Sequence, residues 1–126
     1  MVTAQGQPVE CFLTPGSYRD VHALQACQCA VPAHRSIYAD QAYNDDEMED
    51  LMKESCNIEL RPIRKKNSTR VTPPYRAFVQ HYHRQRIETA GSLIARVLPN
   101  TIHAVTAQGF ELKVFLFVLA YRLNCL

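Results

Sequence analysis

Short runs of alternating apolar and polar residues separate longer stretches in which apolar residues recur every three or four positions. The runs are typical of half-buried strands, and the stretches are typical of amphipathic helices. Proline, glycine and asparagine residues mark the boundaries between them. In chain order the pattern predicts a hairpin over 1–14, a helix over 18–30, a strand over 35–40, a helix over 44–55, a strand over 57–63, a basic loop over 64–72, a long helix over 73–98 and a last helix over 110–123.

The apolar positions of these elements predict the core. The last helix is apolar on most of its sides, so we expect the rest of the protein to cover it. Asn44 or Asp45 is placed to cap the helix that follows. The residues expected to face the core are Val21, Leu24 and Cys27 in the first helix, with Val31 as a further candidate, Met48, Leu51 and Met52 in the second, Ile58, Leu60 and Pro62 in the second strand, and Phe78, Ile87, Ala90, Ile94 and Leu98 in the long helix.

The alternation of strands and helices predicts an α/β or α+β domain with a mixed sheet. A chain of 126 residues, 47% of them hydrophobic, suits one domain with a modest core. The N-terminal residues do not resemble a secretory signal, and the longest apolar run, 114–121, is far shorter than the roughly 20 residues of a membrane span. We therefore expect a cytoplasmic protein with no membrane partner and with its five cysteines reduced.

The net charge is only +2, but acids and bases are segregated along the chain. Residues 40–59 hold eight acids and a single base, whereas residues 61–86 hold eight bases and no acid. A basic block interleaved with tyrosine and histidine suits contact with a phosphate backbone. The alternative is two solvated faces that attract each other. The bases of the block are Arg61, Arg64, Lys65, Lys66, Arg70, Arg76, Arg84 and Arg86.

The segment "SIYADQAYND", residues 36–45, ends a predicted strand on the carboxylate of Asp40. A strand that delivers an acid at its end can aim a charge into a site, or it can simply start a turn. Glu88 is isolated among cationic residues of the long helix, where its ordinary role would be that of an ion-pair partner. Asp40 and Glu88 are the two candidate catalytic carboxylates.

Five segments of the chain, taken in order, resemble the catalytic domain of bacterial insertion-sequence transposases of the Asp-Asp-Glu (DDE) class. In that family an aspartate lies in an Ala/Gly-Asp-x-x-Tyr segment, matched here by Asp40 and Tyr43. A glutamate lies on a helix four residues after an arginine, matched here by Arg84 and Glu88. The matching segments are "GQPVECFLTPGSYRD" (6–20), "YADQAYND" (38–45), "LRPIRKKN" (60–67), "HRQRIET" (83–89) and "QGFELKVFLFVLAYRL" (108–123).

The resemblance implies a ribonuclease-H-like mixed sheet flanked by helices, and metal-dependent DNA strand cleavage and transfer. In such reactions two Mg²⁺ ions held by carboxylates stabilise the attacking and leaving oxygens at phosphorus. Asp40 and Glu88 would then be catalytic residues and ligands of Mg²⁺ or Mn²⁺, and Tyr43 and Arg84 would support them. The residues implied to contact DNA are Arg61, Arg64, Lys65, Lys66, Arg84 and Arg86.

The sequence departs from the family pattern in two ways. His81 and Ala95 stand where the family has a tyrosine and a lysine, although Tyr82 is adjacent. No residue matches the first catalytic aspartate, which in the family lies upstream of the hairpin, and Asp20 comes too late to replace it. We therefore expect a fragment truncated at its N-terminus, without the first central strand, that binds metal weakly or not at all and is inactive alone in cleavage and joining.

The expected absence of the first central strand also leads us to expect binding partners. Unpaired strand edges invite association, so we expect a homodimer, rearranged strand pairing, or a separately translated upstream transposase fragment that supplies the missing half. DNA, in the form of transposon ends, is the other expected partner. The alternative function is a non-catalytic DNA-binding or dimerising remnant that modulates an intact transposase.

Other chemistries fit the sequence poorly. A zinc cluster of Cys27, Cys29, His34 and Cys56 lacks the usual spacing of ligand pairs, because only one residue separates the first two cysteines. His81 and His83 are two positions apart on a helix and so point to different faces. There is no glycine-rich phosphate loop and no hydrolase motif.

Overall fold

The computed structural model describes residues 1–26 and 31–124. The mixture of helices and short strands that the sequence predicts is confirmed. The end of the predicted helix 18–30, with Cys27 and Cys29, lies outside the described residues, as does Cys125. The elements are α1 (Asp20–Ala26), β1 (Ser36–Ala39), a 3₁₀ turn η1 (Gln41–Tyr43), α2 (Asp46–Cys56), β2 (Glu59–Pro62), α3 (Pro74–Val97) and α4 (Ala107–Asn124).

The chain forms two compact units, where the sequence predicts one domain. The first unit, Thr14–Arg84, holds α1, both strands, α2 and residues 74–84 of α3. The second unit joins Met1–Leu13 to Gln85–Leu126 and holds the rest of α3 together with α4. Asp40 belongs to the first unit and Glu88 to the second.

The sheet of the first unit pairs β1 and β2 in parallel. Ser36 is opposite Glu59 and Ala39 is opposite Pro62, so both strands end at the same edge. Parallel strands need a crossover between them, and α2 supplies it. The side chains of β2 alternate as predicted, with Leu60 and Pro62 buried while the residues between them are half-buried.

A small apolar core lies between α1, α2 and β2. It consists of Leu24, Met48, Met52, Ile58 and Leu60, and Ile58 is only 1% exposed. The predictions for these five residues are confirmed. The prediction for Leu51 is wrong, because that side chain is 54% exposed. The third buried residue of α2 is Glu49.

Both ends of α2 are capped by side chain or backbone groups. Asp45 is the N-cap, as predicted, and its Oδ1 accepts from the backbone N–H groups of Glu47 and Met48, both at 3.1 Å. At the other end Asn57 adopts a left-handed conformation with φ of 54°, which lets its N–H reach the carbonyl oxygens of Met52 and Lys53. Asparagine tolerates this conformation better than most residues, so the helix ends here and β2 begins.

The first residues of the chain differ from the predicted hairpin over 1–14. They form a single antiparallel bridge between Val2 and Pro8 around the turn at Gly6, and residues 9–15 are irregular. Proline has no N–H to donate to a ladder, so Pro8 is a poor residue from which to extend one.

The predicted apolar stripe of α3 is only partly buried. Ala90 is buried and Ile94 and Leu98 are half-buried, but Phe78 is 75% exposed and Ile87 is also exposed. In the first unit the buried position on α3 belongs to Gln80. The predicted apolar positions of α3 therefore do not form one continuous buried face, because the two ends of the helix belong to different units.

The expectation that α4 is covered is wrong. Val114 and Tyr121 are buried, but most of the large apolar side chains of this helix are more than one-third exposed. No helix in the described part of the chain is long and apolar enough to cross a bilayer.

Candidate functional site

Asp40 follows β1 directly and begins the 3₁₀ turn. Its side chain is exposed, and Oδ1 accepts a hydrogen bond of 2.7 Å from the backbone N–H of Gln41. The carboxylate is therefore the N-cap of the turn, which is the simpler of the two roles that the sequence suggests. The second oxygen, Oδ2, is not used in that cap.

The first part of α3 lies against the ends of both strands. Gln80 donates from Nε2 to the carbonyl oxygen of Pro62 at 3.0 Å, and the ring of His83 stacks on Tyr38 with centroids 4.4 Å apart. One residue further on, Nη1 of Arg84 lies 3.9 Å from Oδ1 of Asp40. The arginine of the helical motif is thus held beside the aspartate of the strand motif, within one compact unit.

Tyr43 packs against the apolar core and closes the turn that Asp40 begins. Burial raises the pKa of its phenol, and the negative charges of Asp20 and then Asp40 raise it further. The ring is therefore neutral at physiological pH. Its packing holds the backbone after Asp40. A role for Tyr43 in supporting a catalytic site stays a prediction.

Glu88 is an exposed residue of α3 in the second unit. It lines a shallow groove with Gln85, Thr89, Ser92, Leu93 and Arg96. The groove offers one carboxylate and one guanidinium together with polar groups. Because Asp40 and Glu88 belong to different units, their convergence on a common metal stays a prediction.

Much of the basic block is neutralised by the acidic helix α2. Arg64 forms a two-pronged hydrogen bond to Glu49, whose carboxylate is only 7% exposed, and Nη2 of Arg64 lies 2.7 Å from Oε2. Arg70 donates to the same Oε2 at 3.2 Å and to Asp50 at 2.7 Å. Arg64 and Arg70 thus pair with acids of α2, which matches the alternative in which the acidic and basic segments of the chain attract each other.

Arg61 is likewise engaged within its own unit. It donates to Glu59 at 2.6 Å and to the hydroxyl of Tyr38 at 2.9 Å. The hydrogen bond from Arg61 lowers the pKa of Glu59, and the same bond raises the pKa of Arg61. Arg76 lies 3.8 Å from the other carboxylate oxygen of Glu59. Contact with DNA would require Arg61 to break its ion pair with Glu59 and Arg64 to break its ion pair with Glu49.

Lys65 and Lys66 stand apart from this network. Both are exposed, and no ion pair within residues 1–26 and 31–124 includes either of them. They lie at the tip of the loop between β2 and α3, which Arg64 and Arg70 tie to α2. The loop is therefore anchored to α2 by Arg64 and Arg70, and it exposes the ammonium groups of Lys65 and Lys66 to solvent. Arg86 is exposed in the second unit.

The described residues do not fit a complete divalent-metal site. No three His, Cys, Asp or Glu side chains come together as a metal site anywhere in residues 1–26 and 31–124. Asp40 has a guanidinium as its neighbour, where a bound cation would require further oxygen ligands. Binding of Mg²⁺ or Mn²⁺ stays a prediction.

The four residues of the zinc cluster that the sequence disfavours are partly outside the described residues, since Cys27 and Cys29 fall there. Of the other two, the His34 ring lies 3.1 Å from the amide nitrogen of Asn57, and Sγ of Cys56 lies 3.4 Å from the Ser55 hydroxyl. These contacts account for both side chains without a metal.

Sequence reasoning missed the role of Glu49. Counted along the helix, Glu49 lies three residues before Met52 and next to Met48, so its position is on the buried side of α2. An acid on the apolar face of a helix signals a buried ion pair, because an unpaired charge there is costly. Gln80, a polar residue at a buried position of α3, gives the same kind of signal.

Comparisons of the chain with family models, with curated proteins and with solved structures returned no match.

Proposed function

We propose that this chain is part of the catalytic domain of a DDE-class transposase, with a ribonuclease-H-like fold, and that it is inactive alone in DNA cleavage and joining. The reaction class is phosphoryl transfer on DNA. The sequence holds two of the three carboxylates of that class, Asp40 and Glu88. A cytoplasmic location accords with a DNA substrate.

The contact between Asp40 and Arg84 carries the proposal. The two residues belong to separate sequence motifs, 44 positions apart, that serve one site in the family. Their side chains lie 3.9 Å apart, at the edge where β1 and β2 both end. The carboxyl ends of parallel strands are a common place for sites in layered α and β proteins. The parallel pair β1–β2, followed by a helix bearing Arg84, supports the same assignment.

The charge of Arg84 gives Asp40 a role that does not depend on metal. With both side chains about half exposed and 3.9 Å between Nη1 and Oδ1, the contact is a weak surface ion pair. Loss of metal-dependent activity is expected because no residue of the sequence matches the first catalytic aspartate of the family. A third carboxylate, from an upstream fragment, would be needed to favour the cation.

A non-catalytic DNA-binding remnant is the second candidate function, and the exposure of Lys65 and Lys66 favours it. Neither lysine has a carboxylate partner among the described residues, so both charges are available to phosphates. A chain that binds DNA without cleaving it would compete with an intact transposase for the same ends.

Binding and cleavage of DNA by the purified chain test the proposal. We expect duplex DNA to bind at low salt, with an affinity that falls steeply as salt rises, and to remain uncut in the presence of Mg²⁺ or Mn²⁺. Gel shift and nicking assays on the same samples measure the two properties. A chain that binds no duplex at low salt would refute the DNA-binding remnant and leave an inactive transposase fragment. A metal-dependent nick that is lost in Asp40→Asn would show that the chain is active by itself, against the proposal.

A further inference from the structure

A cavity of about 150 Å³ lies within the first unit, beside the ion pairs that join α2 to the basic loop. Its walls come from α2, β2, the loop after β2 and the first part of α3. All of these segments belong to one compact unit, so the shape of the cavity does not depend on the second unit. We call this space the polar cavity.

The charges that line the polar cavity are not equal in number. Three acids line it, namely Glu49, Asp50 and Glu59, and each already accepts a hydrogen bond from an arginine. Asp46 lies outside the lining but also pairs with two of the bases, and counting it with the three acids still leaves one positive charge in excess. The five bases that line the cavity are Lys53, Arg61, Arg64, Arg70 and Arg76.

One buried donor at the polar cavity lacks an acceptor. Nε of Arg61 is buried and has no hydrogen-bond partner in the described part of the chain. A buried N–H group without an acceptor costs free energy, so it indicates that an acceptor is missing from the site. The ammonium group of Lys53 likewise forms no ion pair within residues 1–26 and 31–124.

The N-terminus of α3 adds to the positive potential of the polar cavity. Thr72, Pro73 and Arg76 bring the beginning of this helix of 24 residues to the cavity wall. The N-terminus of a helix carries a partial positive charge and favours a nearby anion. The first turn of α3 contains no acid that would offset this charge.

We propose that the polar cavity binds a phosphate group that carries two negative charges, either as the free ion or at the end of a nucleotide chain. Guanidinium groups suit phosphate because their parallel N–H donors match its oxygens. A terminal phosphate is close to a dianion at neutral pH, whereas a phosphodiester within a strand carries one charge. The excess of positive charge therefore favours a free or terminal phosphate over the backbone of a duplex.

This phosphate site is separate from the exposed lysines of the loop, since neither Lys65 nor Lys66 lines the polar cavity. The inference rests on the cavity alone and holds whether or not the proposed function is correct.

Isothermal titration of the full chain with inorganic phosphate tests the site, at about pH 8, where phosphate is mainly a dianion. We expect one phosphate per chain, and no saturable heat with chloride at the same ionic strength. Arg76→Gln and Lys53→Gln each remove one cation from the cavity wall, and each should raise the dissociation constant at least about tenfold. Lys65→Gln removes the same charge outside the cavity and should leave the constant unchanged. Circular dichroism should show that all three variants fold.

Thymidine 5′-monophosphate and thymidine identify the source of the phosphate. Competition with inorganic phosphate by the monophosphate but not by thymidine would support a site that accepts the terminal phosphate of a nucleic acid. Competition by neither would support a site for the free ion, because the cavity would then exclude the attached sugar.

Two results would overturn the proposal. The wild-type chain could give no saturable heat with phosphate beyond that with chloride, which would mean that water alone meets the free donors of the cavity. Alternatively, Lys65→Gln could weaken phosphate binding as much as Arg76→Gln does, which would mean that phosphate binds to the basic surface in general and not in the cavity.

Discussion

Replacing Arg64 by methionine should destabilise the protein by about 3 kcal/mol, because it leaves the Glu49 carboxylate buried without its main partner. Arg64 is itself only 19% exposed, and both of its terminal nitrogens bond to Glu49. Arg70 remains close to the same carboxylate and retains part of the compensation, which keeps the loss at the lower end of the range for broken buried pairs. Urea unfolding of the wild type and the variant measures the difference.

Two control variants distinguish the effect of losing the Arg64–Glu49 ion pair from the effect of losing a positive charge. Lys65→Met removes a charge from the next residue, which is exposed, and should change the unfolding free energy by less than about 0.5 kcal/mol. The double variant Glu49→Met with Arg64→Met removes the stranded acid and should be more stable than Arg64→Met alone. If Arg64→Met were as stable as Lys65→Met, the network between α2 and the basic loop would not contribute to the fold.

The double variant Lys65→Gln with Lys66→Gln should weaken binding to duplex DNA by roughly 30-fold at 0.15 M salt. Each lysine that neutralises a phosphate contributes about 0.9 to the slope of log affinity against log salt, so the slope should become shallower by about 1.8. The reason is that these two ammonium groups are exposed and have no acid partner in the described chain, unlike Arg61 and Arg64. Fluorescence anisotropy at several salt concentrations measures both quantities.

A matched control changes the net charge by the same amount elsewhere. The double variant Lys53→Gln with Lys113→Gln removes one lysine from α2 and one from α4. It should leave the salt slope within error of the wild type, because neither residue lies on the loop between β2 and α3. Equal losses in the two double variants would mean that net charge, not the loop, determines DNA binding.

The local sequence pattern predicts the first unit well. The alternation of Ile58, Leu60 and Pro62, the cap at Asp45 and the apolar positions Met48 and Met52 all follow from neighbouring residues, and the structure has them. These features depend on periodicity and on the chemistry of helix ends, which act over a few residues. Predicting these features requires no knowledge of the tertiary packing.

Features that depend on distant residues could not be predicted. Glu49 and Arg64 pair across 15 positions, and Asp40 and Arg84 across 44, so neither contact follows from local spacing. The same reason explains why α3 was predicted as one stripe and α4 as a covered helix. Periodicity identifies the apolar faces of a helix, but the fold decides which of them is used.

The candidate site could be predicted from the sequence only in part. The sequence motifs give Asp40, Tyr43, Arg84 and Glu88 their roles through resemblance. The structure adds the contact of Asp40 with Arg84 and the packing of Tyr43 on the core. The role of Glu88 and its relation to Asp40 stay predictions, since they lie in separate units.

The measurement that tests the central claim most directly is the proximity of residues 40 and 88 in solution. Cysteines would replace Asp40 and Glu88 in a chain whose five native cysteines are serine, each cysteine would carry a nitroxide spin label, and circular dichroism would confirm the fold. Carboxylates that share metal ions must be neighbours, so the proposal predicts strong dipolar broadening of the continuous-wave spectrum. A spectrum equal to the sum of the two singly labelled chains would contradict it, because the two acids could not then belong to one transposase site.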